Sequence, residues 1–205
     1  MKIPASVIDA LGARDRKPWP RISPTCVLIA RADGFDELLA DGRLLELCSL
    51  ASQGIRDVYE AADREGGDLE LSSGRVTQVV FGGPRALQPA AALRAATALA
   101  AVIRCPEQPD RISNGAVRAY AIGLSAGQCA AGILGGEDRA MVITLGGACA
   151  CARKLAEIAG AGEIHLDGGF LRELEASGSP LPPIEFVAAA HRADDEEYYR
   201  IVRGP

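Results

Sequence analysis

The sequence predicts an α+β fold: a ferredoxin-like βαββαβ core followed by further β and α elements. Three observations lead there. A continuous apolar run, Thr25 to Ala30, stops before Asp33-Gly34 and reads as a strand buried on both faces. Two short strand-like segments flank Ser73-Gly74-Arg75, and glycine at such a turn is hairpin chemistry. Helical periodicity fills the interval between the apolar run and the hairpin, and returns between the hairpin and the next strand-like segment.

Each element has its own reason. Residues 1–24 read as an extension punctuated by Pro4, Pro18, Pro20 and Pro24, with a charged stretch from Arg14 to Lys17. Within it, Val7 to Leu11 could form one helical turn docked on the domain, which spans 25–205. The helical segment after Gly34 breaks at Asp41-Gly42. Leu44, Cys48, Ala51, Ile55 and Val58 then recur at alternating spacings of 4 and 3, which places them on one helix face. Gly66-Gly67 ends that helix as a C-cap. Asp68 to Ser72 and Val76 to Phe81 are the hairpin strands, and Gly82-Gly83-Pro84 is a loop. Pro89 to Arg104 is amphipathic, with Leu93, Ala96, Leu99 and Ile103 on its stripe. Cys105 to Asn114 is polar and reads as a loop. Val117 to Leu124 and Gln128 to Leu134 read as strands around Ala126-Gly127, with Arg139 to Leu145 as a further strand. A helix over Ala148 to Ile158, a strand over Glu163 to Leu166 and a helix over Gly169 to Ala176 follow. The Pro-rich loop Ser179 to Pro183 leads to strands at Ile184 to Val187 and Tyr198 to Val202.

Composition narrows the function. The 205 residues carry 22 Lys+Arg against 27 Asp+Glu, a net charge of −5, with 4% aromatics. An acidic chain without a basic block is a poor nucleic-acid binder, because Lys and Arg supply that affinity by neutralising phosphates. Few aromatics leave few platforms for stacking bases. No signal-like segment opens the chain, and the Ala-rich run Pro89 to Ile103 is too short to span a bilayer and contains Arg94. The expectation is a cytoplasmic protein with no membrane insertion. Six cysteines at 26, 48, 105, 129, 149 and 151 form no C-x-x-C, and His165 and His191 lie apart from the C-x-C. A zinc site is not expected, and the thiols read as small buried side chains in a reducing compartment.

The same segments carry a more specific pattern. Val27-Leu28-Ile29-Ala30 with Gly34-Phe35 resembles the V-L-F-A-D-x-x-G-F opening of class III adenylate and guanylate cyclase catalytic domains. Gly66-Gly67, Gly74 and Val80-Phe81-Gly82 resemble the family's G-G…G-D-G-x-x-A-V-F-G hairpin. Ile122 to Gly127 is similar to G-I-G-I-H-x-G, and Ala131 to Gly135 to A-G-N-I-G. Leu145-Gly146 and Ala152 to Leu155 fall on I-G-D-T-V-N-L-A-A-R-L, and Gly162-Glu163-Ile164 on P-G-E-I. The pieces are in order and cover roughly residues 25 to 202. Gly66 to Glu70 also looks like the G-G-D-E-F signature of diguanylate cyclases, but it precedes the hairpin rather than forming its turn.

The resemblance implies the nucleotide cyclase fold, and it implies a site that this chain has lost. Family members hold two divalent metals on two aspartates, which activate a ribose hydroxyl and neutralise the triphosphate. Those positions fall on Arg31 and Arg75. A guanidinium has donors and no lone pair to offer a metal. The family's base-recognising lysine and aspartate fall on Leu71 and Gly147. Its transition-state asparagine and arginine fall on Ala150 and Lys154. Asp33 and Asp68 are the neighbouring carboxylates that could stand in as metal ligands, or else sit in solvent as loop and cap carboxylates.

The expectation is therefore a degenerate cyclase-like domain with no catalytic residue intact and no cofactor. It would act in signalling as a dimerising regulatory or scaffold module, a homodimer or a heterodimer, since family cyclases pair head to tail. Two arginines match the charge of two metals and two aspartates. A pocket of Arg31, Ala32, Asp33, Gly34, Phe35, Arg75 and Lys154 could hold a nucleotide or another phosphate ligand without metal, aided by the helix N-terminus after Gly34. Otherwise the arginines would pair with local carboxylates such as Asp33 or Asp68. The alternative is residual cyclase activity, which would need Mg²⁺ or Mn²⁺ and would make cyclic AMP or cyclic GMP.

Overall fold

A computed structural model describes residues 21–82, 87–102, 119–136, 139–179, 184–190 and 197–203. Val7 to Leu11, Ile103, the 105–114 loop and most of the Ser179 to Pro183 loop lie outside them.

The strand from the apolar run is β1, Arg21–Ala32. Its even residues Cys26, Leu28, Ala30 and Ala32 enter the larger core cluster and its odd residues Val27 and Ile29 the smaller one. Both faces are covered, which is why the run shows no polar alternation. Two helices follow, α1 (Phe35–Ala40) and α2 (Leu44–Arg64), separated at Asp41-Gly42 as expected. β2 (Asp68–Ser72) and β3 (Val76–Gly82) form the hairpin, closed by the Ser73 amide on the Val76 carbonyl at 2.9 Å. Gly74 takes φ 82 at its turn, a value that favours glycine. Helix α3 (Pro89–Ala100) buries Leu93, Ala96 and Leu99 as the stripe predicts.

Next come β4 (Tyr120–Gly136), β5 (Arg139–Gly146), α4 (Gly147–Ile158), β6 (Ile164–Asp167), α5 (Gly168–Ala176), β7 (Ile184–Ala190) and β8 (Glu197–Arg203). The strands form one sheet in the order β2-β3-β1-β4-β6-β8-β7, with β5 paired to β4. The order β2-β3-β1-β4 is that of the βαββαβ core. Only β4 and β6 run parallel among the described pairs.

Two expectations change. The strands expected on either side of Ala126-Gly127 are one continuous strand, because β1 reaches back to Arg21 and pairs along the whole stretch, with Gly127 opposite Thr25. The buried face of α2 is also not the expected one. Leu50, Gly54, Val58, Ala61 and Ala62 are buried, while Leu44 is 61% and Leu45 86% exposed. The face keeps Val58 but is turned by about 70° at 3.6 residues per turn. The small residues Gly54, Ala61 and Ala62 belong to the buried face, and hydrophobic spacing alone under-weights them.

Among the described helices, α4 alone lies on the other side of the sheet, over Val27, Ile29 and Val80. It sits very close to β4: a Cβ on Gly123 would come within 2.0 Å of the Ala152 carbonyl oxygen and 2.6 Å of the Ala156 nitrogen. The glycine in the Ile122-Gly123-Leu124 motif is therefore required by backbone contact between helix and sheet.

Candidate functional site

The C-terminal end of β1 meets the hairpin turn. Arg31 pairs with Val76 across the sheet, and the Ala32 amide donates to the Arg75 carbonyl at 2.9 Å. The two positions on which the resemblance places metal aspartates are thus neighbours. Their side chains go different ways. Arg31 shares the α4 side with Val27 and Ile29. Its Nε donates to the Ala156 carbonyl at 3.0 Å and its Nη2 to the Ala159 carbonyl at 2.9 Å. These carbonyls end α4, where four acceptors lack helical partners and the helix dipole favours a cation. Arg75 instead pairs with Asp36 at 2.8 Å, with 40% and 62% of the two side chains exposed. Neither arginine pairs with Asp33 or Asp68, the carboxylates expected from the sequence. A metal pair does not fit this donor set. Asp68 sits at the far end of β2, opposite Val80, away from the turn.

The intervening loop is structural in detail. The Asp33 amide donates to the Ala119 carbonyl at 3.1 Å. Gly34 has φ 85 and precedes α1. Phe35 packs toward the hairpin turn, its ring 3.6 Å from where a Cβ on Gly74 would stand. Helix α1 has only six residues, and Asp36 and Glu37 occupy its first turn. Those carboxylates already answer the positive end of its dipole, so the anion-binding contribution expected from this N-terminus is largely spoken for.

Gly147, Ala150 and Lys154 share a flank of α4. Ala148, Ala152, Leu155 and Ala156 are its buried side, while Ala150 is exposed and Lys154 half-buried. Leu71 stands on β2 opposite Gln78.

A polar cluster that sequence reasoning missed lies between these positions. The β2–β3 register shifts between Leu69 and Leu71, and this bulge re-aims Glu70. Its carboxylate accepts from the Thr144 amide at 3.0 Å, from the Thr144 hydroxyl, and from Gln78 Nε2 at 3.3 Å. Gln78 Nε2 also approaches the Thr144 carbonyl oxygen at 3.4 Å and Cys149 Sγ at 3.9 Å. Burial raises the Glu70 pKa; the Thr144 and Gln78 hydrogen bonds oppose that rise without cancelling it. One signal was available beforehand: Gln78 interrupts an otherwise apolar strand, Val76 to Phe81, and a buried amide needs partners.

A second network fixes the exit of α4. Glu163 accepts from the Gly160 amide at 2.9 Å and Arg200 Nη1 at 3.0 Å, and lies 3.0 Å from His165 Nε2. The Gly160 amide, then Arg200 and His165, hold its carboxyl below the usual value against a smaller cost of burial. Among the described residues no group of three or more His, Cys, Asp or Glu side chains is placed to hold a metal. No described helix is long and apolar enough to cross a membrane.

No protein-family model and no curated protein matches the sequence. Solved structures do match. The guanylyl cyclase Cya2 aligns over 91% of this chain and 95% of its own, with TM-score 0.70 and 17% identity. The adenylyl cyclase CyaB from P. aeruginosa aligns over 92% and 98%, with TM-score 0.69 and 17% identity. The dimeric guanylyl cyclase domain of the RhoGC fusion protein from the aquatic fungus Blastocladiella emersonii aligns over 89% and 98%, with TM-score 0.70 and 16% identity. Near-complete coverage of both partners, with the strand order and the αβ additions in place, means that this chain has the fold of the adenylyl and guanylyl cyclase catalytic domain.

Proposed function

We propose that this chain is a cyclase homology domain that does not cyclise nucleotides and serves as a dimerising regulatory or scaffold module in cytoplasmic signalling. One observation carries the reading: both positions of the metal aspartates hold arginines, and both arginines are engaged within the chain, Arg31 on the carbonyls that end α4 and Arg75 on Asp36. Guanidinium groups cannot take over the Lewis-acid role of two metals. Leu71, Gly147, Ala150 and Lys154 leave base recognition and transition-state stabilisation without their family side chains. The matched domain from Blastocladiella is solved both as a non-canonical dimer and as a monomer, so pairing rests chiefly on the resemblance to family cyclases. The deciding assay incubates the full chain with Mn²⁺ and ATP or GTP. The expected outcome is no cyclic AMP or cyclic GMP above a protein-free control; metal-dependent product overturns the proposal.

Binding of a phosphate-bearing ligand without metal is the second reading, and Arg75 favours it. Its pair with Asp36 is exposed, and such pairs hold with little free energy, so a phosphate could take the guanidinium over. Arg31 would have to abandon two carbonyls to join it. Calorimetry with ATP and GTP in EDTA tests this: heat of binding that disappears in Arg75→Ala supports the ligand, and no heat leaves the scaffold reading alone.

A further inference from the structure

Helix α2 carries more apolar surface than the fold buries. Leu45, Cys48, Ser52, Ile55 and Tyr59 recur at spacings of 3 and 4, which makes a stripe along one flank. It runs beside the buried line of Leu50, Gly54, Val58 and Ala61. Leu45, Cys48 and Tyr59 are exposed, as are Leu44 and, at the end of α1, Leu39. Single apolar side chains on a surface need no explanation, but a row of this length marks an interaction site. A hollow of about 340 Å³ opens along the same flank, lined among the described residues by Cys48, Ser49, Ser52, Gln53 and Arg56. The surroundings are acidic. Residues 35–65 hold eight acidic side chains against three basic ones, a net charge of −5. Glu60 and Asp63 are exposed near the C-terminal end of α2. Glu60 meets Arg64 only at 3.7 Å, between exposed side chains, and such a pair yields easily.

The residues before β1 have the complementary character. Val7, Ile8 and Leu11 are the apolar positions of a short helical pattern. Ser6 and Asp9 have the spacing of a capping box, and Gly12 follows as a stop. Arg14, Arg16 and Lys17 come next, and residues 1–20 hold four basic side chains against two acidic ones. Two copies of this chain meeting at the α2 flank would bring acidic surfaces together, so a second copy is the poorer occupant.

We propose that residues 7–17 dock on the α2 flank of their own chain. Val7, Ile8 and Leu11 lie on the stripe between Cys48 and Tyr59, and the basic residues meet Glu60 and Asp63. The tether permits this. Residue 20 joins β1 at Arg21. Val27, six residues along β1, pairs with Val80, which pairs with Asp68, four residues past the end of α2. The C-terminal end of α2 is therefore level with a point about 20 Å along β1 from Arg21, at 3.3 Å per residue. Leu11 precedes Arg21 by ten residues, a reach of about 33 Å. Because the segment is tethered, its effective concentration is of order millimolar, and a modest patch is enough to hold it.

The test uses the full chain, with substitutions confined to residues that precede β1, so the core is left untouched. Hydroxyl-radical footprinting compares wild type with Val7→Asp plus Leu11→Asp. The expected result is a severalfold rise in oxidation at Leu45, Cys48 and Tyr59, with Ile22 and Leu145, exposed elsewhere, unchanged. Equal oxidation in the two proteins overturns the proposal. A carbodiimide, which joins a lysine to a touching carboxylate, then identifies the occupant in a mixture of isotope-labelled and unlabelled chains. After trypsin, the expected product links Lys17–Arg21 to Asp57–Arg64, both of the same isotope. Arg14→Glu with Arg16→Glu lowers its yield, as does salt at about 1 M, where the screening length is near 3 Å. Pairs of mixed isotope would assign the flank to the segment of a second copy. Lys17 links to other carboxylates alone would place the segment elsewhere. Either result overturns the proposal.

Discussion

Glu70 shows how one residue can alter the reading of a site. Its sequence position on a short strand suggests a solvated charge, yet the bulge turns it onto Thr144 and Gln78, and burial raises its pKa above the ordinary value of 4.5. A folded-state pKa above the unfolded one means that the folded chain binds the proton more tightly. The associated stability is complete below the unfolded value and is lost as pH rises through the folded value. Glu70→Gln removes the titration while keeping an acceptor for Thr144. The expected outcome is a melting temperature that rises relative to wild type as pH goes from about 4 to 8. A difference that stays constant over that range would mean that burial does not control this carboxyl. Glu163 has the opposite sign, because its pKa is lowered; its contribution is present above the unfolded value and fades as pH falls through the folded one.

At the scale of elements, α4 is the piece on which the site depends, and it is held at three points. Gly123 lets its backbone touch β4, Arg31 takes its last carbonyls, and Glu163 takes the Gly160 amide just beyond it. The first is the least forgiving. In Gly123→Ala the new methyl would overlap the Ala152 carbonyl and the Ala156 amide, neither of which can rotate away. The expected cost is about 3 kcal/mol, or roughly 6–12 °C in melting temperature for a chain of this size. A loss below about 1 kcal/mol would show that α4 can lift off the sheet. The glycine's place in the motif was legible from the sequence, as were β1, the hairpin and the order of the core, because each has a local signature. The contact partner was not, since Gly123 and Ala152 meet only through the fold. The same limit explains α2. Leu44 and Cys48 have the right spacing, but the side that is buried carries Gly54 and Ala61, which spacing of large apolar residues does not reveal. It also explains Arg31, whose place at a position the resemblance gives to an aspartate was visible while its carbonyl partners at 156 and 159 were not.

Across the whole molecule, the arginines at the two positions that the resemblance assigns to metal aspartates also serve the fold, Arg31 on the carbonyls that end α4 and Arg75 on Asp36. Arg31→Asp together with Arg75→Asp places aspartates at both positions that the resemblance assigns to metal ligands, and takes the net charge from −5 to −9. If the arginines alone stood in the way of an otherwise competent cleft, this double variant would show metal-dependent turnover. A different outcome is expected. At position 31 a carboxylate would lose the hydrogen bonds to Ala156 and Ala159 and face the negative end of α4, an expected loss of about 2 kcal/mol. At position 75 it would stand beside Asp36, in an exposed setting where repulsion is screened. The new aspartates would also find Leu71, Gly147, Ala150 and Lys154 at the positions where the resemblance places base-reading and transition-state groups. The double variant is therefore expected to melt below wild type, with most of the loss in Arg31→Asp alone, and to make no cyclic nucleotide with Mn²⁺ and ATP or GTP. Turnover in that variant, at an unchanged melting temperature, would show that the arginines block an intact active site rather than having been absorbed into the support of α4.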